Sequence, residues 1–220
     1  MNYITDFVSY TITLMPQVIK GLMVTLQIFS LTLIFSIPLG ILTSVGRLSK
    51  FKPLKTLTGI YISVMRGTPL LLQIIFIFFG LPLIGITLDR YPAALLAFVL
   101  NYGAYFAEIF RAGISSIDKG QYEASFVLGL SHKNTFFRII LPQALKRVLP
   151  PVGNEVITLV KDTSLVYVLG LSELLKIGKN ASNRDASLVP LIIVGAVYLL
   201  LIIALSKVLS YIEHKYDYYH

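Results

Sequence analysis

The sequence predicts an all-α membrane protein with about five transmembrane helices, an N-terminal interfacial helix and a short helix in a cytoplasmic loop. The chain has 220 residues, of which 55% are hydrophobic and 14% charged, and its mean hydropathy is +0.77. Several apolar runs approach the ~20 residues that an α-helix needs to cross a bilayer. A soluble domain of this length would carry more charge and more turns, so we exclude one. The chain has no cysteine, which excludes disulfides and thiolate sites.

The first predicted element lies at the N-terminus. Apolar or aromatic residues recur there at helical spacing, and they are Tyr3, Phe7, Tyr10 and Leu14. Polar residues occupy the opposite face, so the pattern predicts a short interfacial helix that ends near Pro16. A frayed tail is the alternative, because so short a helix is marginal on its own.

Hydropathy then predicts about five spans in a single transmembrane domain of residues 1–220. The predicted spans are residues 18–45, 54–84, 90–114, 147–170 and 187–211. A polar loop at residues 115–146 separates the third span from the fourth.

Charge predicts the orientation of these spans. Basic residues concentrate in the loop after the first span and in the 115–146 loop, so both loops should be cytoplasmic. The N-terminus then lies outside and the C-terminus inside. One loop fits poorly, because residues 172–187 should lie outside yet carry Lys176, Lys179 and Arg184. Basic residues that flank spans also explain the net charge of +8 without any nucleic-acid partner.

The 115–146 loop has the signals of a compact helix–turn–helix. Ser116 or Asp118 can cap a short helix, and Gly129 can end it in a left-handed C′ position. Ser131 can cap a second helix that runs to Pro142. Such an ordered, partly apolar body can dock a soluble protein, or it can pack against its own spans.

Ionisable residues within the fourth span are candidates for a substrate pathway, because a charge in hydrocarbon is costly. If the span starts near Pro151, Asp162 lies about 16 Å along the helix, close to the bilayer midplane. Glu155 and Thr158 share a helix face with Asp162, whereas Lys161 points about 100° away. We predict that Glu155 and Asp162 bind an ammonium or guanidinium group.

Four more polar residues complete the candidate pathway group: Thr163, Ser164, Arg66 and Asn101. Thr163 and Ser164 would supply adaptable polar contacts. The alternative for the group is structural, with Lys161 and Asp162 paired to neighbouring helices, Arg66 among the possible partners.

Two local features of the second and third spans are also predicted. Pro69 should kink the second span, because its ring removes a backbone donor and frees a carbonyl near Met65. That carbonyl could line a cavity, or the kink could only improve packing. Glu108 and Arg111, three residues apart, can form an ion pair that is structural or lies near a cytoplasmic partner.

Several segments together resemble the transmembrane permease subunits of bacterial ABC importers. The loop follows the spacing E-A-A-x3-G-x9-I-x-L-P through Glu123, Ala124, Gly129, Ile139, Leu141 and Pro142, with Ser125 in place of the second alanine. Other segments resemble the polar amino acid branch, the histidine, glutamine and arginine type. They are KGLMVTLQ (20–27), RGTPLLLQ (66–73), AYFAEIFRAGI (104–114), GQYEAS (120–125), LPQALKRVLPPVGNE (141–155) and KDTSL (161–165).

The resemblance implies a function as the pathway-forming subunit of an ATP-driven importer of a polar, possibly basic, amino acid in a bacterial inner membrane. It implies that the loop is a coupling helix region, which seats in a groove of a cytoplasmic ATPase. The coupling residues are Glu123, Ala124, Ser125, Leu128, Gly129 and Leu130. The implied partners are two ATPase subunits, a second permease subunit, identical or closely related, and an extracytoplasmic amino-acid-binding protein.

This chain itself should be non-catalytic. It lacks the nucleotide-binding pattern G-x4-G-K-[ST], so ATP and Mg²⁺ should bind the partner ATPase. Its histidines, His132, His214 and His220, are isolated in sequence, so we expect no metal site. The competing function is a proton-coupled amino acid transporter or channel in which Glu108, Glu155 and Asp162 relay protons without needing a docking loop.

Overall fold

The computed structural model describes residues 3–216, with side chains from residue 7 onward, and all regular structure in that part is helical. The predicted all-α fold is therefore confirmed. The helices are α1 (Tyr3–Leu48), α2 (Lys52–Gly67), α3 (Leu70–Ile75), α4 (Arg90–Ser115), α5 (Lys119–Val127), α6 (His132–Thr135), α7 (Leu141–Asp162), α8 (Leu174–Asp185) and α9 (Val189–Tyr216). Shorter turns extend two of them: a π turn (Phe76–Gly80) and a 3-10 turn (Leu81–Ile84) after α3, a π turn (Phe136–Ile140) before α7, and a 3-10 turn (Thr163–Leu169) after α7.

Three segments within residues 3–216 are each long and apolar enough to cross a membrane, and they are Phe7–Leu48, Arg90–Ser115 and Val189–Tyr216. The broken pair Lys52–Gly67 and Leu70–Ile84 meets the same test when counted as one span. The fourth predicted span falls on α7 and the turn after it, whose charged residues lower its hydropathy. The number of five spans therefore stays a prediction.

The N-terminal helix is not a separate element. Helix α1 runs without a break through Pro16, so the predicted end near this residue is wrong. A membrane helix tolerates proline because neighbouring groups and small backbone adjustments can satisfy the freed carbonyl. The frayed-tail alternative is also wrong, because Leu14 and Val18 are buried. The side chain of Tyr3, used in that prediction, lies outside the described part of the chain.

Pro69 produces a full break between α2 and α3. Thr68 is extended, with φ −122° and ψ 147°, which is the conformation that proline favours in the residue before it. In a continuous helix, the residue at position 69 would donate its N–H to the Met65 carbonyl. The side-chain amide of Asn101 donates to that carbonyl instead, at 3.0 Å. The carbonyl predicted to be freed by Pro69 is thus bonded within the protein.

The contacts divide the described chain into two compact units. The first unit contains residues 3–34, Leu70–Phe98 and Ile157–Ser206. Its core joins the N-terminal part of α1 to α8 and α9 through Leu14, Val18, Leu174, Ala181, Ile193 and Val194. Glycines permit this close approach: a Cβ atom on Gly178 would lie 2.9 Å from the Val194 side chain.

The second unit contains Phe35–Pro69, Val99–Val156 and residues 207–216. Its first cluster packs α2 against α4 through Ile62, Ala104 and Ala107. Glycine is required where α1 meets α4, because a Cβ atom on Gly40 would lie 2.7 Å from Cβ of Phe106. A second cluster lies beneath the 115–146 loop.

The sequence predicts that the second helix of that loop ends at Pro142, and this prediction is wrong. Helix α6 passes through the Phe136–Ile140 π turn into α7, which contains Pro142, Pro150 and Pro151. A π turn is wider than an α-helical turn and interrupts the regular pattern of backbone bonds. Pro142 follows directly, where a missing N–H disturbs the helix least.

Candidate functional site

The short helix of the polar loop, α5, is closed at both ends by the predicted residues. Asp118, and not Ser116, is the N-cap: its carboxylate accepts a bond from the Gly120 amide at 2.6 Å. Gly129 has φ +70°. The Leu130 amide donates to the Ser125 carbonyl at 3.0 Å, while the Gly129 amide donates to the Phe126 carbonyl at 3.0 Å. These two bonds form a Schellman motif, which confirms the predicted left-handed C′ glycine.

The next turn is also capped as predicted. The Ser131 hydroxyl accepts a bond from the Asn134 amide at 3.3 Å, and α6 begins at the following residue. The loop therefore has two capped helix ends within a few residues of each other. Caps of this kind are typically worth about 1 kcal/mol each, so they favour one loop conformation.

The loop is attached firmly to α7. Ile117, Ile140 and Ala144 are buried together beneath it. The Gln143 side-chain amide donates to the Gln121 side-chain oxygen at 3.2 Å. Arg147 donates to the Ser116 carbonyl. Movement of α5 should therefore be transmitted directly to α7.

The two faces of α5 differ sharply in exposure. Ser125 is 3% exposed, and its hydroxyl donates to the Gln121 carbonyl at 2.7 Å. The small residue at this motif position thus faces inward. At the C-terminal end, Phe126, Val127 and Leu128 are 77%, 84% and 77% exposed. Three adjacent apolar side chains in this position form an exposed apolar end, which marks an interaction surface.

Some of the predicted coupling residues are exposed near this apolar end of α5, and others are covered. Glu123 and Ala124 are exposed, while Leu130 is half-buried. Sequence reasoning missed Phe126 and Val127, which occupy variable positions of the motif. Their signal was present in the sequence as an apolar pair that directly precedes the helix-ending leucine and glycine.

The fourth-span candidates lie at the end of α7 and just beyond it. In the first unit, Thr158 and Asp162 are half-buried and lie on regular α-helix, while Lys161 is exposed. Thr163 begins the 3-10 turn, is fully buried and donates to the Val160 carbonyl at 2.7 Å. Ser164 is half-buried in the same turn.

The other pathway candidates belong to the second unit. Glu155 is half-buried on α7. Arg66 is exposed at the end of α2, and its guanidinium lies over the Tyr105 ring, 5.2 Å from the centroid. Asn101 is buried, and its amide is engaged with the α2 backbone as described above.

Glu108 and Arg111 form the predicted ion pair on α4. The Arg111 guanidinium donates two hydrogen bonds to the Glu108 carboxylate, at 2.6 and 2.8 Å. Both side chains are partly exposed. A bidentate pair of this geometry holds both groups on one helix face.

A buried carboxylate that the sequence did not single out lies at the start of α8. Glu173 is 0% exposed, and it caps the helix by accepting bonds from the Leu175 and Lys176 amides, each at 2.7 Å. The Tyr198 hydroxyl of α9 donates to it at 2.9 Å. Burial raises the pKa of the Glu173 carboxyl, and these three bonds partly oppose the rise. An acidic residue just before a helix was the available signal.

The other end of α8 is held by charge. Arg184 donates to the Asp185 carboxylate at 2.6 and 2.8 Å, and the Tyr10 hydroxyl of α1 donates to the same carboxylate. The adjacent guanidinium lowers the pKa of Asp185 to about 2. Along the helix, the Lys179 ammonium lies over the Tyr167 ring, 4.9 Å from its centroid.

Comparisons with known proteins place these features in a family. The family model described as binding-protein-dependent transport system inner membrane component matches residues 36–218. The L-cystine transport system permease protein TcyB of Bacillus subtilis (strain 168) is 41% identical over 206 residues, covering 93% of this chain and 88% of that protein. The arginine transport system permease protein ArtQ of the same organism is 41% identical over 212 residues, covering 96% of each. The crystal structure of an amino acid ABC transporter with histidines matches with 36% identity and a TM-score of 0.89, covering 96% of this chain and 98% of that one.

Proposed function

The chain belongs to the family of binding-protein-dependent transport system inner membrane components, and we propose that it is the transmembrane permease subunit of an ATP-driven amino acid importer. The relatives that match most of its length are named as amino acid permeases. The proposed assembly contains two permease subunits, two cytoplasmic ATPases and an extracytoplasmic binding protein. ATP and Mg²⁺ act in the ATPase chains, and this subunit forms the pathway.

The exposed apolar end of α5 is the observation that carries this proposal. Phe126, Val127 and Leu128 are exposed on a helix that is capped at both ends and fixed to α7. A secondary transporter has no use for a rigid apolar projection of this kind, whereas a subunit driven by a soluble ATPase requires one. We infer that the ATPase covers these three side chains.

The coupling mechanism follows from the attachment of α5. When the ATPase moves, it displaces α5, and the buried contacts through Ile140 and Ala144 carry that displacement to α7. Because packed interfaces switch between discrete arrangements, a small shift at the loop can change the state of the pathway. No covalent chemistry is required of this chain.

The substrate is proposed to be a polar amino acid that carries two cationic groups. Arginine and cystine are the amino acids in the names of the two relatives. Arginine has an ammonium and a guanidinium group, and cystine has two ammonium groups. Carboxylates suit such groups, so Asp162 and Glu155 remain the proposed contacts, with Thr158 and Ser164 as polar neighbours. Thr163, Asn101 and Arg66 are proposed to support the pathway rather than to contact substrate, because the first two are buried and bonded internally and Arg66 lies on Tyr105. Lys161 is given the same role because it points about 100° away from the helix face of Asp162.

Uptake by proteoliposomes tests this function. The vesicles would contain the chain, its cognate ATPase and its binding protein, and they would be offered labelled arginine, cystine or glutamine. We expect ATP-dependent uptake of arginine or cystine, and a loss of about 10- to 100-fold in Asp162→Asn, the scale of a lost charged hydrogen bond. Asp89→Asn, an exposed carboxylate in the loop before α4, is the matched control and should transport normally. Uptake that continues without ATP and follows a proton gradient would refute the importer function.

A further inference from the structure

An open groove lies between the end of α1 and the N-terminal part of α2, within the second unit. Its volume is about 400 Å³, which is at the small end of the range for ligand sites in proteins. Arg47 of α1 lines one side, and α2 supplies the rest through residues that include Lys55, Gly59, Ile60, Ser63 and Val64.

Two positive charges from different helices face this groove. The Arg47 guanidinium lies against α2 where Gly59 has no side chain, because a Cβ atom there would be 3.4 Å from the guanidinium carbon. Lys55 is exposed. Within the described part of the chain, neither cation forms an ion pair. Glu108 attracts Arg47, but its carboxylate is already bonded twice to Arg111. Both charges are therefore available to an anion.

The lining of the groove changes from charged to apolar along α2. Lys55 lies about 5 Å from the start of the helix. Ile60 and Val64, one turn apart, lie about 12 and 18 Å from it. Their side chains are 57% and 51% exposed. Because α2 begins the second predicted span, the groove runs from the membrane surface into the hydrocarbon region.

This order of groups matches an anionic phospholipid. Its phosphate lies at the membrane surface and its acyl chains lie deeper, so one molecule can meet the cations and the apolar wall together. Basic pockets between transmembrane helices on the cytoplasmic side are sites for anionic head groups. A soluble anion has no part that would cover Ile60 and Val64.

Membrane orientation alone does not explain the groove. The positive-inside rule is satisfied by any basic residue in this region, Lys50 and Lys52 included. It requires neither that Arg47 and Lys55 face the same groove nor that an apolar wall continues from them.

We propose that this groove binds one anionic phospholipid of the cytoplasmic leaflet. The phosphate lies between Arg47 and Lys55, and an acyl chain covers Ile60 and Val64. A lipid held in this way bridges α1 and α2 at the membrane surface. The proposal requires only that the chain lies in a membrane, so it does not depend on the importer function.

Quenching by brominated lipids tests which lipid lies in the groove. The chain has no tryptophan, so Ile60→Trp in the full chain places a single fluorescent reporter on the apolar wall. The purified chain would be reconstituted in bilayers that mix phosphatidylglycerol and phosphatidylcholine, with one of the two brominated on its acyl chains. We expect phosphatidylglycerol to bind beside the reporter about 30-fold more strongly, the scale of two cations near an anionic head group.

Charge variants of the reporter chain locate the site. Arg47→Gln/Lys55→Gln should bring the preference for phosphatidylglycerol close to onefold. Lys50→Gln/Lys52→Gln removes the same charge from exposed positions beside the groove and should keep most of the preference. Circular dichroism would check that each variant is folded. Lys55→Gln alone, at an exposed position, should lower the preference about fivefold and covers the case in which the double variant does not fold.

Four results would overturn the proposal. Equal quenching by the two brominated lipids would show that the groove does not select an anionic lipid. No quenching by either would show that protein covers the groove, as a second copy of the chain could. An equal loss in the Lys50→Gln/Lys52→Gln control would assign the preference to diffuse surface charge. Displacement of the brominated lipid by millimolar inorganic phosphate would identify a site for a soluble anion.

Discussion

Replacing Leu128 by alanine should weaken ATPase binding without weakening the fold. Leu128 is 77% exposed in the described chain, so its side chain contributes little to folding. An exposed substitution of this kind usually changes the free energy of unfolding by less than about 0.5 kcal/mol. If the ATPase covers Leu128, however, the missing methyl and methylene groups are lost from the interface.

The size of the loss follows from the structure. Alanine lacks about three of the carbon groups of leucine, each worth about 0.8 kcal/mol when fully buried. Scaling by the 77% of the side chain that is free to be covered gives about 1.8 kcal/mol. That corresponds to a dissociation constant about 20-fold higher. Phe126→Ala and Val127→Ala should also weaken binding, because these side chains are 77% and 84% exposed on the same end of α5.

The assay is equilibrium binding of the purified ATPase to the permease in nanodiscs, accompanied by a thermal unfolding curve. Leu188→Ala is the matched control, because Leu188 is 71% exposed but lies outside the loop, just before α9. The control should bind the ATPase normally. Equal affinity of wild type and Leu128→Ala would refute the docking argument, and a fall in unfolding temperature would show that Leu128 acts on the fold instead.

Two further predictions concern backbone strain and pH. Gly129→Val should reduce uptake per ATP hydrolysed, because a left-handed conformation at φ +70° costs an ordinary residue about 1–2 kcal/mol. A Cβ atom at this position would meet no other atom within 4 Å, so the effect comes from backbone strain and not from a steric clash. Gly85→Val, equally open at φ +84° but outside the loop, should keep normal coupling, and equal defects in both variants would contradict the prediction. Because burial raises the pKa of Glu173 above its ordinary 4.5, the folded state binds this proton more tightly than the unfolded state does, so the contribution of Glu173 to stability should be fully present below that pH and be lost as pH rises through the raised value. Because the chain has no tryptophan, circular dichroism rather than tryptophan fluorescence can follow unfolding at each pH. Glu173→Gln should remove the loss of stability with rising pH, and a wild-type protein that shows no such loss would refute the reasoning.

Local chemistry made the coupling loop predictable. Asp118, Gly129 and Ser131 act through bonds to residues two to five positions away, so their roles could be recognised in sequence. The choice between Ser116 and Asp118 needed the structure, in which the Asp118 carboxylate accepts from the Gly120 amide while the Ser116 hydroxyl donates to the Gly113 carbonyl at 2.7 Å.

Prolines were harder to interpret, because their effect depends on what surrounds them. Pro69 breaks a helix, whereas Pro16 and Pro142 lie within continuous helical structure. The sequence shows that each proline removes a donor, but not whether the affected carbonyl finds another partner. At Pro69 that partner is Asn101, a residue distant in sequence.

The sequence by itself determined the all-helical membrane class, the capped loop and the family, because hydropathy, capping and motif spacing are properties of neighbouring residues. Only the tertiary structure decided which side of each helix is covered. It buried Glu173 beneath Tyr198 while leaving Phe126, Val127 and Leu128 exposed. Burial depends on contacts between distant segments, and an apolar or acidic residue looks the same in sequence whether a neighbouring helix covers it or a partner protein does.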